Sequence, residues 1–285
     1  MKSESDIISG YNEAIQLAKS HYENFPVVSF LIPSNLRKHV ALVYWFARTA
    51  DDIADENNYS EEERLIKLNT FEDRFRSLLE KQPADNLMSA LKNTITSKNL
   101  NPENFLKLLK AFRQDVTKKR YSTFDEVLEY CSCSANPVGR ILLELFNIRN
   151  DKANYYSDKI CTALQITNFL QDIDIDYQKG RIYYPAEEMQ KFGVSEKMFE
   201  IRKNNSNLKE LIEFSVNRVM TLFNEGKPLL EYLSGRFKYE IDWTIKGGET
   251  ILNKIRGADF DVFSNRPVLT KTDHLRILMK VFFRQ

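Results

Sequence analysis

Apolar residues recur at every third or fourth position through nearly the whole chain, and little interrupts that rhythm. Nine glycines and eight prolines occur in 285 residues, so the interruptions can be placed one by one. The spacing marks one apolar face on a helix of 3.6 residues per turn, and no alternating strand pattern of useful length competes with it. It predicts helices near 3–21, 35–57, 60–81, 85–97, 102–118, 124–147, 151–178, 195–234, 237–256 and 268–283. The breaks fall at Pro26 and Pro33, Pro83, Pro102, Gly180 with Pro185, and the region of Gly235, Gly257 and Pro267. There proline removes a backbone donor or glycine permits a cap. A chain of this length can bury a sizeable core, and no Gly-, Pro- or Ser-rich linker divides it. The expectation is one all-α domain over residues 1–285, folded as a helical bundle.

Charge excludes several classes of partner. Lysine and arginine number 41 against 40 acidic residues, with both signs dispersed, so there is no global attraction to nucleic acid or to acidic membranes. Anion binding must then be local. Three cysteines, Cys131, Cys133 and Cys161, form an odd set without the spacing of a zinc site or a disulfide framework, which fits a reducing cytoplasm. The N-terminal stretch has no signal-peptide core, and no run approaches the roughly 18 apolar residues of a membrane span. Contact with a membrane would be peripheral.

Against this background two stretches hold crowded acids inside apolar helical pattern: "VYWFARTADDIAD" at 43–55 and "TALQITNFLQDIDIDYQKGRIYYP" at 162–185. At about 100° of rotation per residue, with Gln165 at zero, Asn168 falls near ~−60°, Asp172 near ~−20° and Asp176 near ~+20°. Asp174 falls near ~180°, on the other side. Relative to Arg48, Tyr44 lies near ~−40°, Asp51 near ~−60°, Asp55 near ~−20° and Asp52 near ~+40°. Each helix thus presents an acidic pair spaced by four. A solvated charged face is the ordinary explanation of one such pair. Two pairs in helices apolar enough to be largely buried require more, because like charges repel at this spacing and buried carboxylates need a cationic partner. Carboxylates without histidine or thiolate suit a hard cation, and Mg²⁺ takes one or two carboxylates, waters and phosphate oxygens. A diphosphate held by magnesium between acidic helices is the chemistry to expect.

These motifs resemble those of the squalene and phytoene synthase family, whose second motif reads approximately QxxNxxxDxxxDxxxGRxYxP. The resemblance covers most of the chain and implies an isoprenoid synthase bundle around a central cavity. It makes Asp51, Asp55, Asn168, Asp172 and Asp176 magnesium ligands, and puts His21, Asn24, Tyr44, Arg48 and Gln165 at the diphosphate. Arg266, before Pro267, is similar to a C-terminal arginine that reaches the same phosphate. Tyr44 and Tyr130 are the aromatic candidates for catalysis beside the four aspartates, with Phe25 and Phe169 near the motif faces.

"HYENFP" at 21–26, "SANPVGR" at 134–140 and "CTALQITNFLQD" at 161–172 resemble the hopanoid-associated hydroxysqualene synthases. Condensing members carry serines after the histidine, where this chain has Tyr22 and Asn24, and a tyrosine where it has Gly248. The resemblance therefore implies conversion of presqualene diphosphate and water to hydroxysqualene and diphosphate, with Mg²⁺ and without a nicotinamide. A presqualene diphosphate synthase and a hydroxysqualene reductase would be its functional neighbours. The alternatives are head-to-head condensation of farnesyl diphosphate or a phytoene-type reaction and, in another class, a non-catalytic helical binding partner. "SANPVGR" predicts a kink at Pro137, and Lys179 and Arg181 fall at the negative end of the second acidic helix.

Overall fold

The computed structural model describes residues 4–20, 31–56, 58–81, 85–202, 204–264 and 266–282. His21 and Asn24, with Tyr22 and Phe25, lie outside the described residues. The helices are α1 (Glu4–Ser20), α2 (Ser34–Asp55), α3 (Glu61–Glu80), α4 (Asn86–Lys98), α5 (Pro102–Thr117), α6 (Phe124–Ser134), α7 (Asn136–Leu145) and α8 (Asp151–Gln171). There follow α9 (Ile173–Gln178), α10 (Ala186–Lys191), α11 (Glu196–Glu200), α12 (Ser206–Gly226), α13 (Leu229–Tyr232), α14 (Gly235–Gly257) and α15 (Lys271–Phe282). Among the described residues no strand forms, and the β-type contact present is an isolated parallel bridge between Tyr121 and Pro185.

Three expected helices are subdivided. The helix expected over 124–147 stops at Ser134 and restarts at Asn136, since Pro137 cannot supply a donor to the preceding turn. The one expected over 151–178 breaks at Asp172, whose φ of −109° and ψ of 20° are not helical. The one expected over 195–234 becomes α11, α12 and α13. Arg202, at φ 50°, turns the chain after α11, and Pro228 precedes α13. The short helix α10 follows Pro185 and carries no periodic signal long enough to predict it.

The helices form two compact units. The first contains α1–α5 and most of α7. On α2, Leu36, Val40, Val43, Phe46, Ala50 and Ala54 repeat at three and four and are buried. Phe46 meets Phe71, Phe75 and Phe105 at ring-centroid separations of 5.1–5.2 Å, which builds the aromatic centre of this unit. A buried polar cluster lies beside α1. His39 Nδ1 is 2.9 Å from the Thr94 hydroxyl, Tyr11 OH is 2.9 Å from the same hydroxyl, and the Asn93 amide donates to Tyr11 OH at 3.0 Å.

The second unit contains α6 and α8–α15. Here α8 packs along α12 and also touches α6 and α14. Gly248 allows the α14 contact: a Cβ there would lie 2.5 Å from Phe223 Cζ and 3.1 Å from Leu164 Cδ2. No larger side chain fits without displacing Phe223, so glycine at this position is required by close packing. Cys131 and Cys133 are buried as small hydrophobes, and burial pushes the Cys131 thiol up to about 12.

Candidate active site

Each acidic motif lies on the open side of a helix whose other side is core. On α2 the residues Tyr44, Arg48, Asp51 and Asp55 are half-buried, and Asp51 keeps 43% of its side chain exposed. On α8 and α9 Gln165, Asp172 and Asp176 are half-buried and Asn168 is exposed, while Ile166, Phe169, Leu170 and Ile173 are buried. The expectation of largely buried carboxylates is therefore corrected. The helices bury their apolar side, and the acidic stripes are half-buried, with Asn168 exposed.

The break at Asp172 leaves the stripe intact. Asp172 N–H donates to the Asn168 carbonyl at 2.8 Å, and Asp176 N–H donates to the Asp172 carbonyl at 2.8 Å. These four-residue bonds hold Asn168, Asp172 and Asp176 one turn above another on one side. Asp174 is turned elsewhere, to the guanidinium of Arg202, with Arg202 Nε donating at 2.7 Å, and it accepts from the Gln178 amide at 3.1 Å. Gly180, at φ 75°, then ends α9: its N–H reaches the Tyr177 carbonyl at 2.8 Å, and Arg181 N–H reaches that of Asp176 at 2.8 Å.

Arginines accompany the acids. Arg48 pairs with Asp52 at 2.8 Å and lies 3.7 Å from Asp51 on its own helix. Burial opposes the charge of Arg48, but Asp52 and then Asp51 outweigh it and hold the guanidinium above its ordinary range. Arg266 binds Asp172 through two nitrogens, with Nη2 donating to Oδ2 at 3.2 Å. That places the C-terminal arginine at the second stripe. Arg181 has a buried side chain and lines a small recess together with Asp176, Phe169, Tyr183 and Phe199.

Tyr130 is buried in an aromatic cluster of the same unit. Its ring centroid lies 5.9 Å from Phe169, 5.6 Å from Tyr183 and 5.9 Å from Tyr121. Phe169 and Tyr183 stack at 3.7 Å with 6° between their planes. The chain after α9 brings these rings together: Ile182 N–H donates to the Lys119 carbonyl at 3.0 Å, and Arg120 donates to the Gly180 carbonyl at 2.6 Å. Sequence reasoning did not single out Tyr183, although the GRxYxP pattern contains it. It also missed Gln171, a polar residue inside an apolar run beside the first aspartate of the motif.

The donor chemistry fits a hard divalent cation that shares its coordination with a ligand. Among the described residues no three His, Cys, Asp or Glu side chains converge as a complete metal site. Each stripe instead supplies two carboxylates, and the second adds the Asn168 amide oxygen. Mg²⁺ bound through one or two carboxylates and phosphate oxygens needs no more from the protein.

Comparison with known proteins bears on the family and the fold. The family model described as Squalene/phytoene synthase matches residues 18–273. A Rhodopseudomonas palustris protein named hydroxysqualene synthase is 35% identical over 231 residues, covering 80% of this chain and 75% of that protein. Its namesake from Sinorhizobium fredii is 31% identical over 241 residues, covering 83% and 80%. The crystal structure of squalene synthase HpnC from Alicyclobacillus acidocaldarius superposes with a TM-score of 0.86 at 35% identity, covering 92% of this chain and 98% of that one. A dehydrosqualene synthase in complex with ligand gives 0.87 at 25% identity, covering 97% and 96%. The all-α fold is that of the isoprenoid synthases.

Proposed function

The chain belongs to the squalene/phytoene synthase family of isoprenoid synthases, and from that premise we propose that it converts presqualene diphosphate and water to hydroxysqualene and diphosphate. The observation that carries this reading is the open stripe of Gln165, Asn168, Asp172 and Asp176, with Arg266 at its centre. The names of the Rhodopseudomonas and Sinorhizobium relatives support the choice of reaction.

Asp51 and Asp55 on α2 would hold Mg²⁺ at the first stripe, and Asp172, Asp176 and Asn168 on α8 and α9 would hold it at the second. Bound there, the ion supplies Lewis-acid stabilisation of a departing diphosphate. At the second stripe Arg266 carries the positive charge that orients this anion and Gln165 offers it a neutral amide, and at the first stripe Arg48 carries the same charge. Arg48 is held by the exposed Asp52 and Arg266 by the half-buried Asp172, and solvent-accessible pairs of this kind contribute little stability and exchange partners readily. Breaking the carbon–oxygen bond leaves a cyclopropylcarbinyl cation. Rearrangement of this cation and opening of the rearranged ring give an allylic cation, to which water adds with loss of a proton. Tyr130, clustered with Tyr183 and Phe169, is an aromatic group without a strong nucleophile and would stabilise a cation without trapping it. Tyr44, on the α2 stripe with Arg48, has the same part on its own helix.

In this reading the substrate comes from an enzyme that condenses two prenyl diphosphates, and the product passes to one that removes its hydroxyl by reduction. Both compounds carry a long hydrocarbon chain, so peripheral membrane contact belongs to the proposal. No helix among the described residues is long and apolar enough to cross a membrane. The outward face of α15 shows Leu275 at 57% and Met279 at 47% exposure, flanked by exposed Lys271, Arg276 and Lys280. An apolar strip with basic flanks suits an anionic lipid surface. Incubation with presqualene diphosphate and Mg²⁺ without reductant tests the reaction: hydroxysqualene supports it, and squalene alone or no turnover refutes it. Supplying farnesyl diphosphate alone tests condensation in the same assay.

A further inference from the structure

Two adjacent residues at the end of α8 clamp two adjacent residues of the chain before α15. Asp172 takes the guanidinium of Arg266, and the side-chain amide of Gln171 donates to the carbonyl of Pro267. Arg266 and Pro267 lie in a stretch without helix, and a proline has no N–H with which to fix itself. Its carbonyl can still accept a hydrogen bond, and Gln171 supplies one.

The neighbouring anchors are farther along the chain. Leu269 packs against α14, where its Cδ1 lies 3.4 Å from the position of a Cβ on Gly247. Thr270 and Asp273 cap α15 reciprocally: Thr270 N–H donates to Asp273 Oδ2 at 2.8 Å, and Asp273 N–H donates to the Thr270 hydroxyl at 3.3 Å. Lys254 holds the same carboxylate at 2.6 Å. These contacts fix the path from 269 onward, Asp261 accepts from the N–H groups of Phe263 and Ser264 at 3.1 Å on the other side, and Gln171 holds the chain between these two anchors.

We propose that Gln171 is a positioning residue, whose amide seats the Pro267 carbonyl and so holds Arg266 over the second acidic stripe, where it meets the substrate diphosphate. The inference rests on the reading that this stripe binds diphosphate. Gln171 acts through Arg266 and touches neither the substrate nor the reacting atoms. The amide is needed as a donor: leucine matches its bulk without the hydrogen bond, and an ionised glutamate would face the carbonyl with a charge and no proton.

The test is calorimetric titration of inorganic diphosphate in the presence of Mg²⁺ into wild type, Gln171→Leu, Arg266→Ala and the double variant, with thermal melts as the control for folding. Losing a charge-assisted contact in Arg266→Ala should weaken binding by about 10- to 100-fold, and Gln171→Leu by about 3- to 10-fold. The double variant should bind no more weakly than Arg266→Ala alone, since Gln171 has nothing to position once the guanidinium is gone. Gln171→Leu binding like wild type, or a double variant weakened by the product of the two single effects, overturns the inference. Should Gln171→Leu not fold, Gln171→Ala carries the same two criteria. Wild type that does not bind magnesium diphosphate would remove the diphosphate reading itself and this inference with it, a result distinct from either of those.

Discussion

Asp172 and Asp174 offer a controlled comparison within one motif. They stand two residues apart, each keeps 24% of its side chain exposed, and each is bound by one arginine. Their stability roles are therefore alike, and what differs is the side of the helix. Asp172→Ala loses the pair with Arg266, and a solvent-accessible pair of this kind contributes roughly 0.2–1 kcal/mol. That predicts a fall in melting temperature of no more than about 4 °C. Under the proposed mechanism it also removes a carboxylate from a metal that stabilises the leaving group by several kcal/mol, so turnover should drop at least about a hundredfold. Asp174→Ala loses the pair with Arg202 but nothing from the stripe, and its turnover should stay within about twofold of wild type. Steady-state turnover of presqualene diphosphate with Mg²⁺, measured beside thermal melts, reads both quantities. If Asp174→Ala were as inactive as Asp172→Ala while both melted near wild type, the assignment by helix face would be wrong.

Other expectations concern packing, protonation and the outer face. Gly248→Ala brings a methyl group against Phe223 and should cost about 1–3 kcal/mol in urea unfolding, with Phe223→Leu recovering much of it; no loss in the single variant would contradict the close-packing account. Burial, then Lys98 and Lys38, lowers His39 from 6.5 to about 4, so the imidazole is neutral when folded. Its contribution to stability is present in full above pH 6.5 and declines as pH falls toward 4, by about 3 kcal/mol at most and about 2 after solvent screening. His39→Gln should lack that share of the pH dependence, and an unchanged slope between pH 6.5 and 4 would count against it. Replacing Leu275 and Met279 by Glu should abolish sedimentation with anionic phosphatidylglycerol vesicles, and equal sedimentation of wild type and variant would remove α15 as the contact.

Much of this architecture was legible because helices buried on one face repeat their apolar residues regularly. On α2 the sequence Leu36, Val40, Val43, Phe46, Ala50 and Ala54 is both the pattern and the buried face. The same geometry separated Asp174 from Asp172 and Asp176 before any contact was known, and Arg202 now accounts for where Asp174 goes. Breaks inside an apolar run were harder to see. The residue at the α8–α9 junction is an aspartate, which gives no breaker signal, and the four-residue bonds continue on either side of it. Long-range partners were not legible at all: 94 residues separate Arg266 from Asp172 and 96 separate Pro267 from Gln171, and no periodicity links them. The openness of the acidic stripes was also hidden, because composition records the apolar side of a helix more strongly than what covers its polar side.

The most direct test of the reaction is to incubate the purified protein with presqualene diphosphate and Mg²⁺ in oxygen-18 water, without a nicotinamide, and identify the product by mass spectrometry. The account predicts hydroxysqualene carrying the heavy oxygen in its hydroxyl group, together with released diphosphate. Squalene as the sole product, a hydroxyl without the label, or no consumption of presqualene diphosphate would contradict it.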